Sequence, residues 1–176
     1  KAAFTRDAMQ KPLLVLLSYY PEEVKRVLQL ALPLADDRVE VIYKFHPTAR
    51  AEQFSAWLPL SPKIAEGPLG DTLEEIKARG GAVLGSVSGA LVEAAVSGVP
   101  VLSVEEANPG LGMNFLPDYG KGFLWESVKS SRDVEDALEA LSMHFSSPRR
   151  TQEVRALREM LFTEPTRQRI RADFLL

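Results

Sequence analysis

The stretch from Val83 to Pro100 constrains the fold more than any other part of this sequence. An apolar run that ends at Leu84 is followed by the small residues 85–89, a helix-forming segment from Ala90 to Ser97, and a second apolar run over 99–104. This is the pattern of a strand, a tight turn, a short helix and another strand. Such a turn directs the N–H groups of a helix N-terminus into a crevice at the carboxyl ends of parallel strands, where they favour an anion such as a phosphate.

The rest of the chain repeats this alternation of strand-length apolar runs and helix-forming segments. The predicted strands are Leu13–Ser18, Val39–Phe45, Lys63–Ala65, Ala82–Leu84, Val99–Val104 and Phe123–Trp125. The predicted helices are Pro21–Leu34, Ala49–Leu58, Asp71–Arg79 with Asp71 as its cap, Ala90–Ser97, Ser131–Phe145, Arg149–Phe162 and Thr166–Leu176. We therefore expect an α/β, Rossmann-like domain over residues 1–145, with a parallel sheet of about six strands and helices on both faces. Residues 146–176 are expected to form helices that pack on this domain or cross to another one.

Composition narrows the function classes. The chain has 176 residues, 45% of them hydrophobic and 26% charged, which is typical of a globular protein. A formal net charge of −3 gives no electrostatic argument for a nucleic-acid partner. There is no cysteine, no apolar run long enough to span a membrane and no secretory signal pattern. A cytoplasmic location is expected, including the inner face of the membrane. Because the chain opens at Lys1 rather than at a methionine, we expect a piece of a longer protein.

Lys44 and His46 form the first candidate site, at the end of the second predicted strand. They lie two residues apart, so on an extended strand both side chains face the same side. Pro47 stops the strand and restrains the histidine, which then points into the ligand crevice. There it could bind a phosphate or move a proton. The alternative is a histidine that ends a strand and bonds a loop carbonyl. Arg50 either reaches the same anion or is a solvated helix arginine.

The second candidate site is the turn that contains Ser86, Ser88 and Gly89. Two hydroxyls and the following N–H groups could hold a phosphate, although the N-cap of an ordinary helix has the same residues. Glu93 follows, either as an acceptor for ribose hydroxyls or as a surface glutamate. Apolar neighbours predict that its carboxylate is partly sheltered, and a sheltered carboxylate needs partners.

A long loop over residues 105–122 supplies further candidates for gripping a donor or acceptor: Asn114, Asp118, Tyr119 and Lys121. His144 is expected to be structural or exposed. Two distant histidines without a carboxylate cluster predict no metal site. The sequence contains neither a Walker A motif nor a Gly-x-Gly-x-x-Gly after the first strand. The hydrolase pattern Gly-x-Ser-x-Gly also fails, because Val87 stands where the nucleophile would be.

Two motifs together resemble a known family. Lys-x-His-Pro at 44–47, followed by Ser-x-Ser-Gly at 86–89 and Glu-Ala-Ala-x-x-Gly-x-Pro-Val at 93–101, is similar to the C-terminal nucleotide-binding domain of GT-B glycosyltransferases. The His-Pro and paired-serine combination resembles bacterial sialyl-, polysialyl-, capsule and teichoic-acid transferases, whose donors carry CMP or CDP. The serine turn also resembles the UDP-sugar halves of the peptidoglycan N-acetylglucosaminyl transferase and the UDP-N-acetylglucosamine 2-epimerase. The likeness covers about residues 13–141.

This resemblance implies a role for each matching residue. His46 would be catalytic and would contact the donor phosphate, with Lys44 supporting the strand end. Ser86 and Ser88, with the N–H groups of Gly89 and Ala90, would hold the phosphate as the nucleotide leaves. Glu93 would bind the ribose, although it comes earlier after the serine turn than in the peptidoglycan enzyme.

The implied function is the donor half of an inverting, metal-independent glycosyltransferase of bacterial surface-polysaccharide synthesis. Its substrate would be a CMP-, CDP- or UDP-linked sugar, with no other cofactor. A glycan or lipid-linked acceptor and the general base would belong to a missing N-terminal α/β domain of the same protein. A sugar-nucleotide 2-epimerase half and a non-catalytic ligand- or protein-binding domain are the alternatives.

Overall fold

The computed structural model describes residues 11–35, 39–86, 88–105, 116 and 119–162. These residues form a six-stranded sheet in the order β3-β2-β1-β4-β5-β6, with every neighbouring pair parallel. The strands are Lys11–Leu17 (β1), Val39–Phe45 (β2), Lys63–Ile64 (β3), Ala82–Gly85 (β4), Val101–Val104 (β5) and Trp125–Val128 (β6). The predicted Rossmann-like α/β fold is therefore confirmed.

Helices cover both faces of the sheet. The first face carries Pro21–Ala31 (α1) and Ser131–Met143 (α4), and the second carries Leu69–Ala78 (α2), Gly89–Ser97 (α3) and Pro148–Leu161 (α5). Two short 3-10 helices, Leu32–Leu34 and Ala51–Phe54, complete the described helical segments. Strand β1 is buried on both sides, since Leu13 and Val15 pack under α1 while Leu14 and Leu16 face the second layer. This explains why its sequence is continuously apolar rather than alternating.

At the centre of the sheet, between β1 and β4, the order in which successive strands are added reverses. Strands β1 and β4 are neighbours, paired from Leu13 with Ala82 to Val15 with Leu84. Helix α1 leaves β1 on one face, whereas α3 leaves β4 on the other. The loops after the two strands therefore diverge and open a crevice at the carboxyl edge, the usual ligand position of an open α/β sheet.

The predicted helix Ala49–Leu58 is largely wrong, because only residues 51–54 are helical and they form a 3-10 turn. Three aromatic rings determine this segment. Phe54 is buried and stacks on Phe45, with ring centroids 6.0 Å apart, while Trp57 lies 6.1 Å from Phe54. A tight turn places both aromatic side chains over the end of β2, which outweighs the local preference for a longer helix.

Two other predicted boundaries also move. Helix α2 begins at Leu69 after Pro68, so Asp71 lies in the first turn rather than at the cap. The sixth strand begins at Trp125, not Phe123. Residues 120–124 form a turn instead, in which Gly120 has a φ of 81° and accepts a 2.7 Å hydrogen bond from the Leu124 N–H.

Helix α5 packs against α3 through arginine side chains that bind backbone oxygens. The guanidinium of Arg150, which is 3% exposed, donates to the carbonyls of Phe123 at 2.6 Å and Gly98 at 3.4 Å. Arg158 donates to the Val96 carbonyl at 2.8 Å. Val96 and Gly98 lie at the C-terminal end of α3, where free carbonyls attract cations. The boundary between residues 145 and 146 stays a prediction, and the predicted helix 166–176 lies outside the described residues.

Candidate functional site

Three chain segments meet at the carboxyl edge of the sheet around the end of β1. The N–H of His46 donates to the Leu17 carbonyl at 2.9 Å, which places the histidine directly beside β1. On the other side, the β1–β4 register continued by two residues sets Ser86 opposite Leu17. His46 and Ser86 therefore flank the same strand end, roughly 10 Å apart for two strand spacings. The structure thus brings the two predicted motifs to one crevice.

The hydroxyl of Ser86 has a partner that the sequence did not indicate. This buried serine donates a 3.0 Å hydrogen bond to the carboxylate of Glu23, in the first turn of α1. The contact spans the crevice between the two diverging helices. Sequence reasoning treated Pro21-Glu22-Glu23 only as a helix start, because the pattern of acids after a proline is common there.

Ser88 caps helix α3. Its hydroxyl accepts a hydrogen bond of 3.2 Å from the N–H of Ala90. This agrees with the alternative of an ordinary N-cap. The N–H of Leu91 also donates to Ser88, at its carbonyl, so in this turn the N–H of Gly89 is left without a partner among the described residues. The first turn of α3 contains no acidic residue, so the partial positive charge of this helix end is not neutralised locally. Val87 lies outside the described residues.

The ring of His46 is oriented by its neighbours. The backbone N–H of Thr48 donates to His46 Nδ1 at 3.2 Å, and the Thr48 hydroxyl lies 2.8 Å from the same nitrogen. Since Nδ1 accepts a hydrogen bond, the neutral ring carries its proton on Nε2 and can donate there. The ring partner is thus Thr48 rather than the loop carbonyl of the alternative.

Two exposed tyrosines, Tyr19 and Tyr20, follow β1 and line the crevice beside His46. Their ring centroids are 4.1 Å apart, and the Tyr19 hydroxyl donates to that of Tyr20 at 2.8 Å. The ring of Tyr19 meets His46 edge-on at 5.1 Å. The hydrogen bond to Tyr20, with a smaller contribution from the charge of Glu23, raises the pKa of Tyr19. A pair of aromatics directly after the first strand was a signal that sequence reasoning passed over.

Two predicted residues lie away from this arrangement. Lys44 donates from Nζ to the Gly67 carbonyl at 2.8 Å, towards α2, and burial lowers its pKa while Asp71 acts in the opposite direction. No contact among the described residues joins Lys44 to His46. Glu93 is exposed on α3, so the expectation that its neighbours shelter it is wrong. The turns of α3 point Leu91, Ala94 and Ala95 into the core and leave Glu93 on the outer side.

The remaining candidates belong elsewhere. Tyr119 and Lys121 precede β6, so they lie near the amino ends of the strands, away from the crevice at the carboxyl edge. Lys121 Nζ is 5.3 Å from the centroid of the Trp125 ring. His144 ends α4 with its ring 4.6 Å from Phe123, consistent with the structural role expected for it. Arg50 is exposed, which agrees with the alternative that it is a solvated arginine rather than an anion-binding one. Asn114 and Asp118 lie outside the described residues.

Within the described part of the chain, no group of three or more acidic, histidine or cysteine side chains could hold a metal ion. Over the same residues, none of the helices combines the length and the apolar character that a membrane span requires.

Comparisons with known proteins extend the fold assignment. No family model matches the sequence, and neither does any curated protein. Among solved structures, the chain is similar to a candidate UDP-N-acetylglucosamine 2-epimerase from Listeria monocytogenes, with a TM-score of 0.53, 14% identity, and coverage of 96% of this chain and 46% of that one. It is also similar to Anabaena HepE in complex with UDP-glucose, with a TM-score of 0.51, 13% identity and coverage of 86% and 47%. A third is S. aureus MnaA with UDP, with a TM-score of 0.50, 15% identity and coverage of 86% and 46%.

At these identities the likeness shows the fold alone, which is the predicted Rossmann-like α/β fold. The chain spans less than half the length of each of these three neighbours. The residue roles carried over from the family resemblance stay predictions.

Proposed function

We propose that this chain is the donor-binding half of a glycosyltransferase of the GT-B type, and that it binds the phosphate of a nucleotide sugar at the carboxyl edge of its sheet. The observation that supports this most is the placement of His46 and of the serine turn on either side of β1. Two motifs about forty residues apart in sequence share one crevice, at the point where α/β sheets bind ligands.

In this proposal, two kinds of donor hold the phosphate. His46 Nε2 supplies one N–H, and the N–H of Gly89 at the start of α3 supplies the other, because the Ala90 N–H already donates to the Ser88 hydroxyl. Both kinds are fixed before the ligand arrives, since Thr48 orients the ring and Ser88 caps the helix. Preorganised donors aimed at a leaving phosphate stabilise the charge that develops as the sugar is transferred. His46 is accordingly the residue that we assign to catalysis, Ser88 lines the phosphate site, and Ser86 stands at its border with α1, where its hydroxyl donates to Glu23.

The finer parts of the proposal concern the reaction. We propose inverting transfer without a metal ion, in bacterial surface-polysaccharide synthesis, in the cytoplasm or at the inner face of the membrane. The acceptor site and the general base would lie on a second α/β domain. The partial coverage of all three neighbours is consistent with such a domain. Lys44 supports the end of β2 through its bond to Gly67, and Glu93 remains our candidate for the ribose.

The nucleotide base is the open part of the donor. The His-Pro motif favours a cytidine nucleotide by resemblance, whereas two of the neighbours are described with UDP-glucose and UDP. A 2-epimerase half is the second candidate function, and the likeness to the Listeria protein favours it. Conversion of UDP-N-acetylglucosamine by the whole protein, without any acceptor, would identify that activity.

Nucleotide binding to the chain tests the proposal. Titration calorimetry with UDP, CDP and CMP should give saturable binding for at least one of them. His46→Ala should weaken that binding about tenfold, corresponding to about 1.4 kcal/mol for a lost hydrogen bond to a charged group. His144→Ala is the matched control, because it removes the other histidine at the opposite edge of the sheet and should leave the dissociation constant unchanged. Failure of all three nucleotides to bind, or equal constants for the two variants, would contradict the proposal.

A further inference from the structure

The hydrogen bond between Ser86 and Glu23 gives the crevice two chemically different sides. Glu23 lies in the first turn of α1 and is half-buried, whereas Ser86 follows β4 and is buried, and their side-chain oxygens are 3.0 Å apart. The bond therefore joins the first turn of α1 to the loop that leads from β4 into α3.

This bond commits the only proton of the Ser86 hydroxyl. A serine hydroxyl donates one hydrogen bond and accepts others, so the oxygen of Ser86 now offers acceptor positions. A phosphate oxygen is itself an acceptor and cannot use this serine while Glu23 holds its proton. A ligand hydroxyl can, because it donates as well as accepts.

The charges of the two helix ends also favour a phosphate on the α3 side of the crevice rather than on the α1 side. The first turn of α1 contains both Glu22 and Glu23, whereas the first turn of α3 contains no acid. A phosphate bound at Ser86 would lie roughly 5 Å from the carboxylate of Glu23, two hydrogen-bond lengths away, and would be repelled. A phosphate on the N–H groups of α3 meets the positive end of a helix dipole that no acid in its first turn offsets.

The α1 side also presents a suitable apolar surface. Tyr19 and Tyr20 are 49% and 53% exposed, and their rings stand together beside the crevice. The C–H face of a sugar ring is apolar and its edge carries hydroxyls, so exposed aromatic rings next to a carboxylate match both parts. A phosphate gains nothing from the apolar faces of such rings.

We infer that the α1 side of the crevice is a sugar-hydroxyl subsite, in which Glu23 accepts a hydroxyl of the donor and keeps phosphate on the α3 side. This deepens the proposed function and rests on it. The hydroxyl belongs to a sugar ring, either the ribose or the transferred sugar, and the experiment distinguishes these two sources.

The test compares Glu23→Gln with Glu22→Gln, which removes the same charge from the neighbouring exposed residue. Dissociation constants are measured for inorganic phosphate, UDP, 2′-deoxy-UDP and UDP-glucose. In Glu23→Gln, inorganic phosphate should bind about tenfold more tightly than in the control, because a nearby like charge is gone. Loss of the preference for UDP-glucose over UDP assigns the subsite to the transferred sugar. Loss of the preference for UDP over 2′-deoxy-UDP assigns it to the ribose.

Ser86→Ala provides an independent variant, should Glu23→Gln fold poorly. It keeps the carboxylate, so phosphate should bind no more tightly than it does to the wild type. The inference is overturned if UDP binds but Glu23→Gln matches Glu22→Gln in phosphate affinity or retains both preferences, or if Ser86→Ala tightens phosphate binding as much as Glu23→Gln does. If UDP, CDP and CMP all fail to bind the wild type, the proposed function fails, and this inference with it. If only a cytidine nucleotide binds, the same comparisons are made with CDP, 2′-deoxy-CDP and CDP-glucose.

Discussion

Replacing Arg150 with methionine should destabilise the domain by about 2 kcal/mol. Methionine keeps most of the apolar stem and fills its space, so the change removes mainly the two hydrogen bonds to the Phe123 and Gly98 carbonyls. Burial lowers the pKa of Arg150 to about 10, so the side chain is still protonated at neutral pH and both bonds have a charged donor.

The magnitude follows from the lengths of the two bonds. The bond of 2.6 Å to Phe123 is short and should contribute about 1.5–3 kcal/mol, whereas the bond of 3.4 Å to Gly98 contributes less. Both carbonyls lose a partner in the variant, which adds to the loss. Removal of a buried charge offsets part of it, because the desolvation that lowers the pKa also costs free energy in the folded state. The balance is about 2 kcal/mol.

Urea unfolding followed by tryptophan fluorescence measures this change, since Trp125 is buried in the same layer as α5. A loss of about 2 kcal/mol should move the midpoint about 1 M lower. Arg155→Met on the same helix is the control. That side chain is 82% exposed and forms an exposed pair with Glu159, so it should change stability by less than about 0.5 kcal/mol. Equal midpoints for the two variants would refute the role of Arg150 as the anchor of α5.

Two further changes test a buried hydroxyl in the core and an ion-paired carboxylate on β2. Tyr43→Phe should raise the free energy of unfolding by about 1 kcal/mol, because the buried Tyr43 hydroxyl has no hydrogen-bond partner among the described residues. Tyr20→Phe at the exposed crevice is the control. A loss of stability in Tyr43→Phe would contradict the reasoning. Hydrogen bonds from Lys63 and Arg79 lower the pKa of Glu40 in the folded protein. The ionised carboxylate therefore stabilises the fold at pH values above the pKa of the unfolded chain. This stabilisation is lost as the pH falls through the pKa of the folded state. Between about pH 5 and pH 3, wild-type protein should therefore lose about 1 kcal/mol more than Glu40→Gln in acid titrations of stability, and identical pH profiles would exclude the contribution.

Local sequence patterns predicted the fold well where one strong signal acted alone. The apolar run of β2 ends at His46-Pro47, and the strand occupies the predicted residues 39–45. The turn over residues 51–54 was mispredicted because contacts of Phe54 with Phe45 and Trp57 determine it. Such contacts leave no periodic trace in the sequence.

Part of the candidate site could also be predicted from the sequence. His46 and Ser86 could be placed at one crevice because parallel strands bring their carboxyl ends together. Glu23 could not, since its contact with Ser86 depends on the angle at which α1 leaves β1, and a first-turn glutamate has a sufficient local explanation. The prediction that Glu93 is sheltered was wrong for a different reason. Its sequence neighbours are apolar, but they face the core while the helix places Glu93 on its outer side.

The central claim is that His46 and the N-terminus of α3 hold one nucleotide phosphate. Titration of the isotopically labelled chain with UDP and CMP, followed by NMR, tests it directly. We expect the largest shifts at the amides of Gly89 and Ala90 and at the His46 imidazole, with the His144 imidazole unmoved. Saturable shifts that cluster around His144 and Tyr119 instead, or the absence of shifts at millimolar nucleotide, would contradict the account.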